Sequence, residues 1–339
     1  MSGLELEGVV VARGTFVVGP VDLTVPPGAA TALLGPTGAG KTTLLRAVAG
    51  FLPLRAGRIL RDGQRVDREP PERRRFGFVP PNLGLFPDRT VLANVAFPLR
   101  LVGRPGSKER AREWVVRFGL ERLADRYPAQ LSSGERQRVA MARALAAEPA
   151  GLLWDEPLAA LDVESRDVLV ELLRELLDAT GIPLVLVTHD PATAAALAGT
   201  YVVLSHGGVR FAGSAHSLPG APLDRFLARF LGFDNLYSRG ELEAPDAMPL
   251  GGRLLTVAGP DGVVVPPGAV RWRPAPGSGA VVAALRATPA GWAVALRQGP
   301  LTLRVRVDGP VPGVRVGDRV DLDVDLEAVR PLATPPGGA

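Results

Sequence analysis

Apolar positions along the first two-thirds of the chain fall into two alternating patterns. Short continuous runs, TALLG (31–35), GLLWDE (151–156) and PLVLVTHD (183–190), have the length of strands buried on both faces. Between them, apolar residues recur at helical spacing. KTTLLRAVAG (41–50) predicts a helix stopped at Gly50, and residues 162–181 put Leu169, Leu172, Leu173 and Leu176 on one face before Gly181. This alternation predicts an α/β domain with a largely parallel sheet. Residues 90–148 carry several helical patterns and no clear strand, which predicts a helical subdomain, with Ser107 as N-cap of one helix. PLDRFLARFLG (222–232) spaces Leu223, Phe226, Leu227, Phe230 and Leu231 as a closing helix before Gly232, so the first domain is expected to span 1–232. Residues 233–339 read differently. Their short runs, GVVVP, AVRWRP, GWAVAL, LTLRVRV and RVDLDV, are punctuated by Gly and Pro and predict a small all-β barrel or sandwich, with TPPGGA as a frayed tail.

Composition narrows the function classes. In 339 residues with 46% hydrophobic and 22% charged content, no stretch approaches the ~18 consecutive apolar residues of a membrane span. The start, MSGLELEGVV, lacks the basic flank of a secretory signal. The absence of cysteine excludes a disulfide framework and fits a cytosolic protein. A net charge of +4 argues against a dedicated nucleic-acid binder, as do the 11 Arg against 11 Asp plus Glu in residues 233–339. Trp272 and Trp292 there read as core rather than as a stacking platform for single strands.

Among basic residues only Lys41 and Lys108 are lysines. Lys41 sits in GPTGAGKT (35–42), which fits G-x-x-x-x-G-K-[ST] between a predicted strand and a predicted helix. Gly35, Gly38 and Gly40 let the backbone turn its N–H groups inward as an anion nest, and the helix N-terminus adds partial positive charge. Lys41 supplies a compact cation, and Thr42 a hydroxyl for Mg²⁺. The run from Gly35 through Pro36, Thr37, Gly38, Ala39, Gly40, Lys41 and Thr42 to Thr43 is therefore the expected nucleotide-phosphate site. LLWDEP (152–157) ends a buried strand with two carboxylates: Asp155 is placed to hold a magnesium water, and Glu156 to act as general base, a role worth ~10²–10⁴-fold.

LSSGERQR (131–138) precedes the helical run QRVAMARALA and forms a second helix N-terminus able to receive an anion. It resembles the signature motif of ATP-binding cassette (ABC) ATPases. That resemblance covers about residues 4–232, and 70–101 is similar to ATPase subunits of importers for molybdate, iron, polyamines, sulfate or sugars. It implies an ATP- and Mg²⁺-dependent ATPase working as a dimer, in which Ser132 and Gly134 bind the γ-phosphate held by the other copy. It further implies membrane permease subunits as partners, a solute-binding protein reached indirectly, a location on the cytoplasmic face of the membrane, and an oligonucleotide-binding-fold-like accessory domain over 233–339. By the same resemblance Asp162, in AALD (159–162), touches the partner copy, although Asp162 is equally a helix N-cap. His189 is the switch histidine at the γ-phosphate, and Phe16 stacks on adenine. The position that is normally glutamine in that family is here Pro81, in VPPNLGLFP (79–87). Proline has neither side-chain amide nor N–H, and losing one transition-state contact typically costs ~10²–10³ in rate. Asn82 carries the nearest amide. Two readings stay open: a hydrolysing importer subunit that docks on its permease through the helical subdomain and the 79–87 loop, and a regulatory subunit that binds ATP but scarcely hydrolyses it.

Overall fold

In the computed structural model the chain is described from residue 3 to 333, apart from 102, 104, 160, 221, 222, 248, 249, 289, 290, 310 and 312; for 163, 164, 191, 192, 219 and 220 only the backbone is described. Ala160, Pro222 and the 334–339 tail thus lie outside the described residues. Backbone packing divides the chain into two compact units, Met1–Leu218 and Pro219–Ala339.

The first unit opens with an antiparallel hairpin, β1 (Leu4–Arg13) and β2 (Phe16–Val25), followed by β3 (Ala30–Leu34) and α1 (Lys41–Ala49). Then come β4 (Leu54–Arg61), β5 (Gln64–Arg65), α2 (Pro71–Arg74) and β6 (Phe76–Val79). The helices α3 (Val91–Leu101), α4 (Ser107–Arg117) and α5 (Ser133–Ala146) fill the predicted helical subdomain, and no described residue of 90–148 is in a strand. The chain returns through β7 (Gly151–Asp155), α6 (Val163–Thr180), β8 (Leu184–Val187), α7 (Pro191–Leu197), β9 (Thr200–Ser205) and β10 (Gly208–Ser214). Six strands pair in the order β10-β9-β3-β8-β7-β6, all neighbours parallel except β10–β9. β3, β7 and β8 are buried at every residue, which is why they read as unbroken apolar runs. A four-stranded antiparallel sheet, β2-β1-β4-β5, completes the unit, and its buried Leu4, Leu6, Val9, Val11 and Val18 share one core with Leu44, Leu45 and Val48 of α1.

The second unit holds α8 (Arg225–Phe230), β11 (Leu236–Tyr237), α9 (Arg239–Glu243), α10 (Leu250–Leu255), β12 (Val263–Val264) and β13 (Val270–Pro274). It continues with β14 (Ala280–Thr288), β15 (Gly291–Gln298), β16 (Leu301–Asp308), β17 (Arg319–Val324) and β18 (Arg330–Pro331). Five strands form an antiparallel sheet ordered β13-β17-β14-β15-β16, and three short ones pair as β11-β12-β18. The protein is thus an α/β domain followed by a small β-sheet domain. Trp272 and Trp292 pack half-buried against the core of this second unit.

Three local expectations change. The closing helix is only α8, because the buried Asp224 caps it by accepting from Leu227 N at 2.6 Å. It groups with the second unit rather than the first, since Leu223 bridges Leu332 and Ala333 N donates to Leu223 O at 2.8 Å. Ser107 is the first helical residue of α4 rather than its cap; Gly106, at φ 69°, holds the cap position.

Candidate nucleotide site

β3, β8 and β7 lie side by side, so the loops leaving their carboxyl ends converge on one edge of the sheet, where parallel α/β sheets bind ligands. β3 runs into the phosphate loop. Gly35 has φ 137°, and a Cβ there would sit 2.1 Å from Leu204 O; Gly40 has φ 105°, and a Cβ would sit 2.4 Å from Val18 Cγ2. Only glycine fits either position. No side chain caps α1, so its first N–H groups are left to an anion from outside the helix. Lys41 is 8% exposed, and its Nζ donates to Gly35 O at 2.7 Å and Pro36 O at 2.9 Å. Burial lowers the Lys41 pKa, against which the nearby carboxylates of Glu156 and Asp155 raise it. These residues border a cleft of about 390 Å³ lined by Phe16, Thr37–Thr43, Glu156 and Val187, together with Arg13.

β7 delivers the two carboxylates in different states. Asp155 is buried, and burial raises its pKa while a hydrogen bond from Thr42 opposes the rise. Its Oδ2 has no hydrogen-bond partner among the described residues. A buried carboxylate oxygen left unpaired is costly, and a hard cation beside Asp155 and the Thr42 hydroxyl satisfies it. No cluster of three His, Cys, Asp or Glu able to hold a metal occurs among the described residues. One buried carboxylate and one hydroxyl fit Mg²⁺, which typically takes one or two protein oxygens and shares the rest with water and phosphates.

Glu156 leaves the strand at φ 53°, uncommon for a residue with a side chain, with its N–H donating to Val187 O at 2.9 Å. That turn aims the carboxylate at His189, whose Nδ1 lies 3.0 Å from Glu156 Oε1. Both side chains are accessible, Glu156 at 35% and His189 at 66%. The structure therefore joins two residues that lie 33 positions apart in the sequence.

Ser132, Gly134 and Asp162 line a separate cleft of about 590 Å³, sharing no lining residue with the first. Ser132 caps α5 in a reciprocal box: its Oγ accepts from Glu135 N at 3.2 Å, and its N–H donates to Glu135 Oε2 at 2.6 Å. A Cβ on Gly134 would come within 2.8 Å of Leu161 Cδ2, which ties the motif to the segment carrying Asp162. Asp162 caps α6, accepting from Ser165 N and Ser165 Oγ, both at 2.9 Å, and the bond from Ser165 N holds its carboxyl below the ordinary range.

Pro81 occupies the second position of a tight turn. Leu83 N donates to Pro80 O at 2.9 Å, and a proline at that position presets the required φ without removing a needed donor. Pro81 and Asn82 are both exposed, and Leu83 follows at φ 61°. Two residues that sequence reasoning passed over build this loop. Arg143, from α5, donates to Gly84 O and Leu83 O at 2.7 Å each, and its guanidinium lies 5.6 Å from the Phe86 ring. Asn94, fully buried on α3, accepts from Phe86 N and donates to the carbonyls of Phe86, Arg89 and Thr90. An asparagine inside the apolar run VLANVAF was the available signal for the latter.

The family model described as ABC transporter matches residues 18–159. The iron(III) ions import ATP-binding protein FbpC of Streptomyces avermitilis is 42% identical over 257 residues, 72% of this chain and 74% of that protein. The sulfate/thiosulfate import ATP-binding protein CysA 1 of Chromobacterium violaceum is 43% identical over 259 residues, 74% of this chain and 72% of its own. A dimeric, post-hydrolysis structure of the ATP-binding cassette MJ0796 with ADP and Pi is similar at a TM-score of 0.57 and 30% identity, covering 62% of this chain and 98% of that one. With the phosphate loop, the Asp155–Glu156 pair and the capped α5 start in the order that family uses, the chain belongs to the ABC transporter family as one of its ATP-binding, ATP-hydrolysing subunits.

Proposed function

We propose that this subunit energises solute uptake through a separate membrane permease, acting as a pair of copies on the cytoplasmic face of the membrane. The observation that carries the reading is the Glu156–His189 contact at 3.0 Å beside the cleft of Lys41. Lys41 and the uncapped N–H groups of α1 hold the phosphates, and Phe16 borders the base end. Thr42 and Asp155 would hold Mg²⁺, which when bound offsets phosphate charge. Glu156 accepts the proton of the attacking water. A carboxylate can only accept, so the hydrogen between it and His189 resides on Nδ1.

Ser132, Gly134 and Asp162 serve the phosphates held by the other copy. Docking on the permease uses the 79–87 loop and the helices around it. The two relatives are named for different solutes at nearly equal identity, so the transported solute is not read from the cassette. Retention of Glu156 and His189 favours the hydrolysing subunit over a purely regulatory one. Steady-state ATP turnover tests this: the natural chain is expected well above its Glu156→Gln variant, with Pro81→Gln at least as active as the natural chain. Turnover indistinguishable from Glu156→Gln, revived by Pro81→Gln, would sink the hydrolytic reading in favour of an ATP-gated clamp.

A further inference from the structure

The nucleotide cleft has a wall residue that no motif accounts for. Arg13 ends β1 and Phe16 begins β2, joined by the two-residue turn Gly14–Thr15, and the two are direct partners across the hairpin. Residues directly opposite in an antiparallel pair project from the same face, and both line the cleft that contains the phosphate loop. Their surroundings differ. Phe16 is half-buried and packs on the core of the first unit, and its Cε1 is close enough that a Cβ on Gly40 would meet it at 3.3 Å. Arg13 is exposed, and its guanidinium has no hydrogen-bond or ion-pair partner among the described residues.

From this geometry we infer that the Arg13 guanidinium, rather than the Phe16 ring, supplies the stacking face for the nucleotide base, while Phe16 forms an apolar edge beside it. The inference rests on assigning the phosphates to Lys41 and the base to the hairpin end. A guanidinium is planar, weakly hydrated and permanently charged, so it stacks on a π-face at small desolvation cost. The ring of Phe16 is already engaged with the protein, whereas Arg13 gives up no hydrogen bond or ion pair when it folds over a ligand. The expected strength is that of a cation–π contact, about 2- to 30-fold in affinity.

Equilibrium binding of ATP and of inorganic tripolyphosphate separates base from phosphate contacts. Arg13→Ala is expected to weaken ATP within that range, to leave tripolyphosphate unchanged, and to cost more than Phe16→Leu. Arg13→Tyr, which keeps a stacking plane without charge, is expected to recover most of the ATP affinity; Arg13→Lys, which keeps charge without a plane, is expected to recover little. Unchanged ATP affinity in Arg13→Ala would overturn the proposal. So would equal losses for ATP and tripolyphosphate, or full rescue by Arg13→Lys, since either would put the guanidinium on a phosphate. Lys41→Ala serves as the control for the underlying reading: if it still binds tripolyphosphate normally, the assignment of the phosphate end fails, whatever Arg13 does.

Discussion

The guanidinium of Arg74 is only 3% exposed and donates to four main-chain carbonyls: Asp67 O at 2.7 Å, Glu69 O and Ala47 O at 2.8 Å, and Val48 O at 2.9 Å. Ala47 and Val48 belong to the last turn of α1, where Ala47 O also accepts from the capping Gly50 N at 3.1 Å. Gly50 leaves room for the arginine, since a Cβ there would lie 2.8 Å from its Nε. One side chain thus ties the far end of the phosphate-binding helix to the segment that leads into β6 and the 79–87 loop. Burial lowers the Arg74 pKa, opposed by the nearby Asp67 and Glu69, and carbonyl dipoles supply its direct hydrogen bonds. Replacing it by Met leaves several buried carbonyls unpaired, so Arg74→Met is expected to lose about 3 kcal/mol of stability. Arg74→Lys, with three donors on a point charge, is expected to lose an intermediate amount. Urea unfolding checks this, and a loss within ~0.5 kcal/mol, the ordinary range for surface substitutions, would contradict it.

At the level of elements, α5 carries its start signal in its own sequence, because Ser132 and Glu135 form the reciprocal box that such spacing predicts. The hydrogen bond from Ser132 N is the largest influence on Glu135 and holds its carboxyl below its ordinary pKa of 4.5. A carboxylate depressed in the folded state contributes stability that is fully present above its unfolded value and is lost as pH falls through the folded one. Glu135→Gln is therefore expected to be less stable than the natural chain at pH 7, with the gap narrowing as pH drops below 4.5. Urea midpoints at pH 7 and pH 4 test the sign, and a gap that widened at acid pH would refute it. The same logic explains what could be read from the sequence and what could not. β3, β7 and β8 were legible because strands buried on both faces leave no polar interruption, and α6 because Gly181, at φ 65°, closes it. β14 was not legible: AVVAALRAT has the composition of a helix and becomes a strand through pairing with β15 and β17. α9 and α10 run five and six residues, too short for periodicity to register. At the site, the phosphate-loop glycines and the Ser132–Glu135 box could be read because their geometry is local. Arg13, Asn94 and Arg143 could not, because the contacts of each come from neighbours brought close by the fold.

On the scale of the whole molecule, the proposed composite site would be divided between two clefts that share no lining residue within one copy. The cleft of Lys41 offers anion-binding N–H groups and Glu156, with His189 reaching that carboxylate from a neighbouring pocket, while Ser132, Gly134 and Asp162 line a different cleft. α5 presents the N-terminus of a fourteen-residue helix there, a site that favours negative charge. Two copies arranged head to tail would bring each α5 start against the phosphates of the other, which makes ATP itself part of the interface. Assembly should then depend on nucleotide and on protein concentration. Glu156→Gln retains the binding residues and removes the proposed base, so it should accumulate as a dimer when ATP is added, seen as a doubling of mass by light scattering. Adding Ser132→Arg to that background places bulk where the other copy's phosphates would lie, without touching the cleft of Lys41. The double variant is expected to bind ATP with near-normal affinity and to remain a monomer. Dimerisation that survived Ser132→Arg, or that proceeded equally well without ATP, would show that the copies associate through another surface and that Ser132 has no part in the composite site.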